Sequence, residues 1–450
     1  MNPTVAALST PTGESAVALI RVTGGECARL VRDIFKAEPT PRAALFGKYR
    51  ALSGELVDEV IYAYFRAPAS YTGEDMLEIS CHGSPYIAQK ILEDLFARGT
   101  QAAHAGEFTR RAFMNDKMDL SQAEAVALVI GARSSRSLEA AQKQLSGELG
   151  RRIADLSDRL VDAAALMEAY IDFPDEDLPE EDKGKVAAEL AAVGAEIGRL
   201  IETAKYSPLV HQGINIVMAG APNAGKSSLM NRLLGDERAI VSPSAGTTRD
   251  FITEKIVVGS YCANLTDTAG LRPPEGEIEA AGIRKAVEKI SNGDIRLLVL
   301  DASAPLPDIP EEVAKTLTGK NTVTAVNKCD LPQARPEMFF EAFAKFNPVE
   351  TSCETEGGTD ALKSAVETLI AKHHICAAAD DILVGARHAA ALERAKTALK
   401  AAAEKIAKGS PSELAASDLR EALDALGEIV GKTDSEDILD RIFSKFCIGK

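Results

Sequence analysis

The 450-residue sequence predicts a multidomain protein that combines α/β parts with an all-α part, because three textures follow one another along it. In residues 1–117, β-branched and aromatic strands alternate with helices. Residues 118–210 and 373–450 space their apolar residues by three and four, as amphipathic helices do. Residues 211–372 alternate strands with helices, which is typical of a parallel sheet. We therefore expect an N-terminal α/β domain and a helical bundle domain that a second α/β domain interrupts.

The N-terminal domain is predicted from three strands and one helix. The strands are "VALIRV" (17–22), "VIYAYF" (60–65) and "LEISCH" (77–82). In the last of them apolar and polar residues alternate, so one face should be buried and the other exposed. The helix that follows has Ser84 as its N-cap, Pro85 as its first residue and Gly99 as its stop.

Two apolar stripes predict the helical bundle. The first comprises Ile153, Leu156, Leu160, Ala164, Met167 and Ile171, and the second comprises Leu419, Leu423, Leu426 and Val430. Residues 172–182 contain two prolines within a run of acidic charge, which should break the first long helix. We expect the two helical halves to pack together, since each presents an apolar stripe that must be buried.

The composition limits the classes of function. Asp and Glu total 67 against 51 Lys and Arg, for a net charge of −16. This argues against broad, unspecific binding to nucleic acids or membranes. Arg110 and Arg111 could form a local basic patch, although we expect a solvated helix face. The seven cysteines are scattered along the chain, so they predict neither disulfides nor a zinc site. The sequence shows no targeting signal and no apolar run long enough to span a membrane. We therefore expect a cytoplasmic protein without a membrane partner.

The strongest signal is "INIVMAGAPNAGKSSLMNRLL". An apolar strand (214–219) runs into Gly220-x-x-x-x-Gly225-Lys226-Ser227, and a helix begins at once. In this arrangement backbone N–H groups cradle phosphate oxygens, Lys226 neutralises them and the Ser227 hydroxyl ligates Mg²⁺. The strand–loop–helix context argues against a chance glycine-rich turn. By contrast, "GKT" at 431–433 lies among helices and lacks the earlier glycine of the motif.

The bound base is predicted from Asn327-Lys328-x-Asp330 at the end of a strand. A carboxylate there can accept hydrogen bonds from N1–H and the 2-amino group of guanine, whereas adenine offers neither donor at that edge. "TSCE" (351–354) would complete the base pocket through backbone groups. We therefore expect GTP rather than ATP.

Two further segments complete the pattern of a Ras-like P-loop G domain. "AGTTRD" (245–250) supplies Thr248 as a second Mg²⁺ hydroxyl, and "LTDTAG" (265–270) supplies Asp267 for a magnesium-bound water and Gly270 for the γ-phosphate. Ras-type enzymes orient the attacking water with a Gln at the position of Leu271, so the water must be oriented otherwise. Glu279 is a candidate for this role, with a solvated helix charge as the alternative.

Together these motifs predict a GTP-hydrolysing enzyme with Lys226 among its catalytic residues, and they leave Glu279 as a candidate. The residues expected at the GTP site lie in these motifs. They are Asn223, Ala224, Gly225, Lys226, Ser227, Ser228, Ser242, Pro243, Ser244, Ala245, Gly246, Thr247, Thr248, Asp267, Thr268, Ala269, Gly270, Asn327, Lys328, Asp330, Ser352, Cys353 and Glu354.

Segments outside the G domain resemble the MnmE (TrmE) family of tRNA-modification GTPases. They are "PTGESAVALIRVTG", "TGEDMLEISCHG", "GEFTRRAFMNDKMDLSQAEA", "AYIDFPDE" and "RIFSKFCIGK". The resemblance covers nearly the whole chain. It implies a folate-binding and dimerisation domain at 1–117, a helical domain at 118–210 and 373–450, and an inserted G domain at 211–372.

The resemblance also implies an activity and partners. Members work with MnmG, a flavoprotein that uses FAD and NADH, in a complex of the heterotetramer type. The pair adds a carboxymethylaminomethyl or aminomethyl group to C5 of the wobble uridine of certain tRNAs. The new carbon comes from 5-formyl- or 5,10-methylene-tetrahydrofolate. Members form homodimers through their N-terminal domains, and their G domains approach one another during the GTP cycle.

Site residues follow from the same resemblance. The folate contacts would be Arg21, Glu78, Lys117 and Lys450, because cations suit glutamate carboxylates and a carboxylate suits the pterin N–H edge. A potassium ion would be held by Asn223, Ser242, Ser244 and Thr247, and its charge would replace an arginine finger. Glu279 aligns with the water-orienting carboxylate of the family.

Two alternatives stay open in the sequence. A ribosome-assembly GTPase of the Era or Der type is the alternative function, although such a factor would be expected to carry a basic RNA-binding module.

The segment Cys447–Lys450, named the CIGK segment below, follows an apolar helix face that Phe446 extends, so we expect it to dock at a folate pocket. Gly449 is not aliphatic, which argues against a lipidation box. Cys447 is either a nucleophile for one-carbon transfer or a supporting thiol.

Overall fold

The computed structural model describes residues 2–172, 180–237, 253–267, 290–309, 311–374, 382–432 and 436–449. The chain divides into two compact units. The first comprises Met1–Ala127, Gln144–Ala195 and Ala391–Lys450, and the second comprises Leu128–Lys143 and Glu196–Ala390. None of the described helices is both long and apolar enough to cross a membrane. The domain boundaries given above stay a prediction.

The N-terminal part of the first unit is built on a six-stranded sheet. Its strands are β1 (Val5–Leu8), β2 (Val17–Thr23), β3 (Ala44–Arg50), β4 (Leu56–Phe65), β5 (Met76–His82) and β6 (Gln101–Ala102). Their order is β3-β4-β5-β2-β1-β6, and all neighbours are antiparallel except β1 and β6. The three predicted strands are therefore confirmed as β2, β4 and β5.

Helices cover both faces of this sheet unequally. Helices α1 (Cys27–Phe35) and α2 (Pro85–Ala97) pack on one face and bury Leu77, Ile79 and Cys81 of β5. The alternate side chains of β5 are half-buried or exposed, so the predicted alternation is confirmed. Ser84 is the N-cap of α2, as expected. On the opposite face, helix α3 (Glu107–Met114) covers a smaller apolar cluster around Phe108.

The first helical stretch comprises α4 (Leu120–Gly131), α5 (Ser135–Leu145), α6 (Glu148–Asp172) and α7 (Glu180–Thr203), followed by the short α8 (Ser207–His211). Most of α5 belongs to the second unit, where Ala140 packs against the core of its sheet. The structure describes α6 as far as Asp172 and α7 from Glu180, and most of the predicted break at 172–182 lies outside the described residues. An ion pair of 2.6 Å between Arg159 and Glu189 joins α6 to α7.

The second unit contains the predicted sheet. Its strands are β7 (Ile214–Ala219), β8 (Thr253–Val258), β9 (Tyr261–Asp267), β10 (Ile295–Asp301), β11 (Thr322–Asn327) and β12 (Pro348–Glu350), in the order β12-β11-β10-β7-β9-β8. All neighbouring pairs are parallel except β8 and β9. The α-helices described between β7 and residue 369 are α9 (Lys226–Glu237), α10 (Glu311–Ala314), α11 (Pro336–Ala342) and α12 (Asp360–Leu369). The carboxyl ends of the parallel strands meet at one edge, where ligands bind in open α/β sheets.

The last helices are α13 (Ala386–Ala407), α14 (Ser412–Val430) and α15 (Glu436–Phe443). Helix α14 packs against α6 and so joins the two helical halves, as expected. The predicted stripe residues that are buried are Ile153, Leu156, Leu160, Met167, Leu419 and Leu426. The others, Ala164, Ile171, Leu423 and Val430, are half-buried, and Ala163 and Ile429 are buried beside two of them. On α14 the buried face includes Ala415, Ala422 and Ala425. These small side chains allow a neighbouring helix to approach closely.

Candidate functional site

The loop between β7 and α9 can form only with glycine at two positions. Gly220 has φ +154°, and a Cβ on it would lie 2.2 Å from the carbonyl oxygen of Val299. Gly225 has φ +95°, and its Cβ would lie 2.3 Å from Nδ2 of Asn327. Between them Asn223 adopts a left-handed φ of 65°. The loop therefore packs against the ends of β10 and β11 with no room for side chains.

Lys226 lies inside this loop. Its side chain is buried, and its ammonium donates hydrogen bonds of 2.8 Å to the carbonyl oxygens of Gly220 and Ala221. Burial lowers the pKa of Lys226, while the nearby Asp267 carboxylate opposes that effect. An anion at the loop would therefore meet a cation that has little water around it, and the attraction would be strong.

The two described residues predicted to act on magnesium lie together. Ser227, in the first turn of α9, donates a hydrogen bond of 3.2 Å to Oδ2 of Asp267 at the end of β9. A hydroxyl and a carboxylate oxygen are the hard donors that Mg²⁺ prefers. The pair fits a site in which Ser227 binds the ion directly and Asp267 binds through a water.

The predicted base-reading residues form a connected network. Asn327 is buried and donates from Nδ2 to the carbonyl oxygen of Ala224, at 3.0 Å, which ties β11 to the phosphate loop. Asp330 accepts a hydrogen bond of 2.6 Å from Ser352 Oγ. That hydroxyl in turn accepts N–H donors from Glu354 and Thr355. The carboxylate of Asp330 is therefore held in one orientation.

The side chains of the "TSCE" segment take part as well as its backbone, which the sequence reasoning missed. The Ser352 hydroxyl orients Asp330, and Cys353 places its sulfur 3.7 Å from Oδ1 of Asn327. Burial raises the pKa of the Cys353 thiol, so this sulfur is a neutral packing group at physiological pH.

The sequence reasoning also missed Asp301, the last residue of β10. Its Oδ2 lies 2.7 Å from Nζ of Lys328, and Lys328 also donates to the carbonyl oxygen of Asn223 at 2.9 Å. The available signal was an acidic residue that ends an apolar strand, "LLVLD", at the carboxyl edge of the sheet. Burial alone would raise the pKa of Asp301, but hydrogen bonds from Lys328 and Ser303 hold it below its usual range.

A second cluster of predicted site residues lies on the N-terminal sheet. Arg21 of β2 and Glu78 of β5 occupy paired positions and form an ion pair of 2.8 Å. The guanidinium of Arg21 lies 6.0 Å from the ring centroid of Tyr71. Lys117 donates to the carbonyl oxygen of Pro68 at 3.1 Å. Because Pro68 and Tyr71 belong to the loop between β4 and β5, the three predicted residues border that loop.

The CIGK segment docks on the same sheet. Ile448 forms an antiparallel bridge with Ala105, and the carbonyl oxygen of Gly449 accepts a hydrogen bond of 3.0 Å from Ser9 Oγ. Gly449 has φ +91°, and a Cβ on it would lie 2.4 Å from the carbonyl oxygen of Leu8. Leu8 follows Ala7, the β1 partner of Arg21. Residues 447–449 therefore dock on the N-terminal domain, and the folate pocket expected there stays a prediction.

The apolar face before the CIGK segment is buried as predicted. Leu439, Ile442, Phe443 and Phe446 pack with Leu120 and Ala123 of α4. Cys447 itself is exposed. The cluster anchors the segment, and the exposed thiol is compatible with either of the two roles considered for it.

Comparison with known proteins identifies the family. A model of the MnmE helical domain matches residues 120–447, and a model of the N-terminus of the GTP-binding protein TrmE matches residues 4–117. The tRNA modification GTPase MnmE of Opitutus terrae is 48% identical over 450 residues, which cover 100% of this chain and 99% of that protein. The chain belongs to the MnmE family.

Other relatives of the family agree. The tRNA modification GTPases MnmE of Syntrophus aciditrophicus and Aquifex aeolicus are 40% and 39% identical, and each match covers 100% of both chains. Among solved structures, the G domain of the T. maritima FeoB iron transporter matches 35% of this chain and 98% of that chain, at 22% identity and a TM-score of 0.25, and no inference rests on it.

Family membership and the site geometry identify this MnmE-family chain as a GTPase. The ribosome-assembly alternative finds no support in the names of these relatives. The described phosphate-loop and base residues come together as the sequence predicts. "GKT" at 431–433 is no second phosphate loop, because Gly431 is the left-handed C-cap of α14.

Several predicted residues lie outside the described residues and stay predictions. They are Ser242, Pro243, Ser244, Ala245, Gly246, Thr247, Thr248, Thr268, Ala269, Gly270, Glu279 and Lys450. The potassium loop and the water-orienting carboxylate therefore rest on the sequence and the resemblance. Of the potassium set, the structure describes only Asn223.

The expectation of a solvated face at Arg110 and Arg111 is wrong for Arg111. Its side chain is buried, with ion pairs of 2.8 Å to Glu74 and 2.5 Å to Glu107. Two carboxylates and the carbonyl oxygen of Pro3 satisfy its donors, which allows a guanidinium to lie inside the domain. Arg110 is exposed and pairs with Asp440 at 3.0 Å.

Proposed function

We propose that this chain is the GTP-hydrolysing component of a cytoplasmic tRNA-modifying enzyme. It would work with the flavoprotein MnmG to add a carboxymethylaminomethyl or aminomethyl group to C5 of the wobble uridine of certain tRNAs, with a tetrahydrofolate derivative as one-carbon donor. The observation that carries this proposal is the docking of the CIGK segment beside Arg21, in a chain that also has a complete base-reading network for guanine.

The roles proposed at the nucleotide follow from contacts, except that of Glu279, which rests on the sequence and the resemblance. Lys226 neutralises phosphate oxygens, since its ammonium already lies in the loop. Ser227 and Asp267 hold Mg²⁺, whose charge compensates the β- and γ-phosphates when it is bound. Asp330 reads guanine with a carboxylate that Ser352 keeps oriented. Glu279 orients the attacking water.

Potassium is proposed as the extra transition-state charge. Leu271 stands where Ras-type enzymes have Gln, so a further electrostatic group is required. Asn223, in its left-handed conformation, would hold the ion with Ser242, Ser244 and Thr247. We expect hydrolysis to be much faster in potassium than in sodium, by about a hundredfold or more, because one transition-state charge is lost. Equal turnover in the two salts at matched ionic strength would contradict this.

The folate site is proposed at the cluster of Arg21, Glu78 and Lys117, with Lys450 from the CIGK segment. The arrangement supports it because the segment reaches Leu8 and Ser9, next to the strand pair that bears Arg21. Arg21, Glu78 and Lys117 would form only part of a folate site, and the sheet face on which they lie leaves room for a second subunit. We therefore propose a homodimer through the N-terminal domains, with the folate near the interface.

Removal of residues 447–450 tests the proposal directly. We expect the shortened protein to lose tRNA modification and 5-formyltetrahydrofolate binding, and to keep GTP binding, because the described contacts of the segment are with Leu8, Ser9, Ala105 and Gly106 of the N-terminal domain. Modified nucleosides from tRNA, folate calorimetry and GTP binding are the three measurements. Normal modification by the shortened protein would reject a role for the segment.

Cys447→Ser is the matched control for that deletion. It keeps the length and the backbone hydrogen bond between Gly106 and the Cys447 carbonyl. Loss of modification with normal folate binding would assign Cys447 as the nucleophile. Near-normal modification would leave it as a supporting thiol.

A further inference from the structure

Asp301 is held on both oxygens of its carboxylate. Oδ1 accepts hydrogen bonds from the backbone N–H and the hydroxyl of Ser303, at 2.9 and 2.6 Å. Oδ2 faces Nζ of Lys328 at 2.7 Å. The side chain is 19% exposed. It is therefore a fixed anion at the carboxyl end of β10 rather than a mobile surface charge.

Lys328 bridges this anion to the phosphate loop. Its ammonium donates at 2.9 Å to the carbonyl oxygen of Asn223, in addition to its contact with Asp301. Lys328 adopts a left-handed φ of 62°, which turns its side chain out of the line of β11. A lysine side chain has four rotatable bonds, so without a fixed partner it would lose considerable freedom when it bound.

We propose that Asp301 is a positioning residue for the GTP site. It fixes Lys328 against the phosphate loop before the nucleotide arrives, so that the loop and the base-reading strand form one preorganised site. Preorganisation of this kind lowers the entropy that binding must overcome and slows dissociation. Since Lys328 also anchors the carbonyl of Asn223, the same contact would set the direction of the Asn223 side chain.

An exposed ion pair elsewhere in the same unit gives the contrast. Lys315 and Glu311 of α10 approach to 2.8 Å, but their side chains are 69% and 83% exposed. Such pairs contribute little, because water screens the charges and both side chains stay mobile. Glu311→Gln is thus a matched control that breaks an ion pair without touching the nucleotide site.

The experiment measures dissociation of a fluorescent GDP from the full-length protein. We expect Asp301→Ala to speed release about tenfold, equivalent to about 1.4 kcal/mol. Glu311→Gln should stay within about twofold of the parent, as surface substitutions do. Asp301→Asn keeps the side-chain size and removes the charge, and it should give most of the same increase, so it replaces the Ala variant if that variant folds poorly. Release by Asp301 variants at the control rate would overturn the proposal.

A double-mutant cycle separates positioning from a general structural effect. If Asp301 acts through Lys328, then Asp301→Ala should add nothing to the release rate once Lys328 is replaced by Met. A further tenfold increase in that background would show that Asp301 acts independently, and the proposal would fail. GDP and IDP release should rise equally, because the 2-amino group is read by Asp330. A change confined to GDP would also overturn it.

The link to potassium rests on the proposed function, whereas the link to nucleotide retention does not. GDP release is measured without potassium, folate or tRNA, so its result stands even if the proposed modification chemistry fails. If both links hold, Asp301→Ala should also raise the potassium concentration needed for half-maximal hydrolysis. An unchanged potassium requirement would limit Asp301 to nucleotide retention and reject the effect on Asn223.

Discussion

The nucleotide site and the N-terminal cluster are built in different ways. At the nucleotide site the backbone conformation sets most of the geometry, and Gly220, Gly225 and Asn223 adopt conformations that the packing requires. At the N-terminal cluster, side chains from β2, β5 and Lys117 meet on an open sheet face, and the CIGK segment approaches from another part of the chain. The first site is dense and lies along one edge of a single sheet, and the second is open and includes a segment from the far end of the chain.

This difference means that substitutions should disrupt the two sites for different reasons. A site made by backbone tolerates no added Cβ, and its residues support one another through short hydrogen bonds such as that between Asn327 and Ala224. A site made by distant segments depends on docking, so one substitution far from the ligand can remove it. The two sites should therefore be separable by mutation.

The largest effect is expected from Asp330→Asn. Guanine donates two hydrogen bonds to the Asp330 carboxylate through N1–H and the 2-amino group. The amide of the mutant keeps one acceptor oxygen and turns an NH2 donor toward the 2-amino group, which should weaken GTP binding by roughly three orders of magnitude. Xanthosine triphosphate should now be favoured, because its O2 accepts where guanine donates. Competition binding of the two nucleotides measures the switch, and folate binding should not change. Parent-like GTP affinity would remove Asp330 as the base reader.

An intermediate effect is expected from Gly449→Ala. The added Cβ would meet the carbonyl oxygen of Leu8 at 2.4 Å, and the left-handed φ would strain the backbone. We expect 5-formyltetrahydrofolate to bind at least about tenfold more weakly, since a displaced segment loses its contacts. GTP hydrolysis should be unchanged. Calorimetry with the folate is the measurement.

Gly409→Ala is the control for that substitution. Gly409 also has a positive φ, of +65°, but nothing lies within 4 Å of its Cβ position. It therefore reports backbone strain alone, about 1 kcal/mol. If both alanine variants bound folate like the parent, the CIGK segment would have no part in the site.

The smallest effect is a pH dependence at Asp301. Its pKa in the folded protein lies below its ordinary value of 3.8. The deprotonated form is thus favoured by folding, and the stability it contributes is complete above that ordinary value and is lost as the pH falls through the folded-state pKa. Asp301→Asn should lower stability by about 1 kcal/mol at neutral pH, and by less as the solution becomes acidic.

The measurement is the thermal transition that added GDP raises, because that transition belongs to the unit with the nucleotide site. Parent and Asp301→Asn should converge at low pH. A constant gap between them at every pH would mean that the carboxylate charge is not what matters.

The contrast between the sites also explains what the sequence could predict. The phosphate loop was predictable because Gly220, Gly225, Lys226 and Ser227 fall within one eight-residue motif. Alternation and apolar runs predicted β2, β4, β5 and β7, but not β1, β3 and β6 of the N-terminal sheet. Asp301 was not predicted, because its role depends on β10 lying beside β11, and nothing in its neighbours along the chain reports that. Arg111 was mistaken for a surface charge because its partner Glu74 is 37 positions away.

The N-terminal cluster was accessible only through the resemblance. Arg21, Glu78 and Lys117 are ordinary charges in their local sequence, and only pairing of β2 with β5 brings the first two together. Likewise, the α14 stripe was predicted only in part, because alanines, which carry a weak periodic signal, form much of the buried face of that helix.

The hydrogen bond between Ser9 and Gly449 joins residues 440 positions apart, which has a consequence for chain entropy. The cost of closing a loop grows as the logarithm of its length. With α15 and Phe446 packed against Leu120, however, the free segment runs only from Phe446 to Gly449. Shortening the loop from 440 residues to about three lowers the closure cost by roughly 4 kcal/mol. The contact is remote in sequence, but closing it costs little entropy, and substitutions that unpacked Phe443 and Phe446 would weaken it by restoring the long loop.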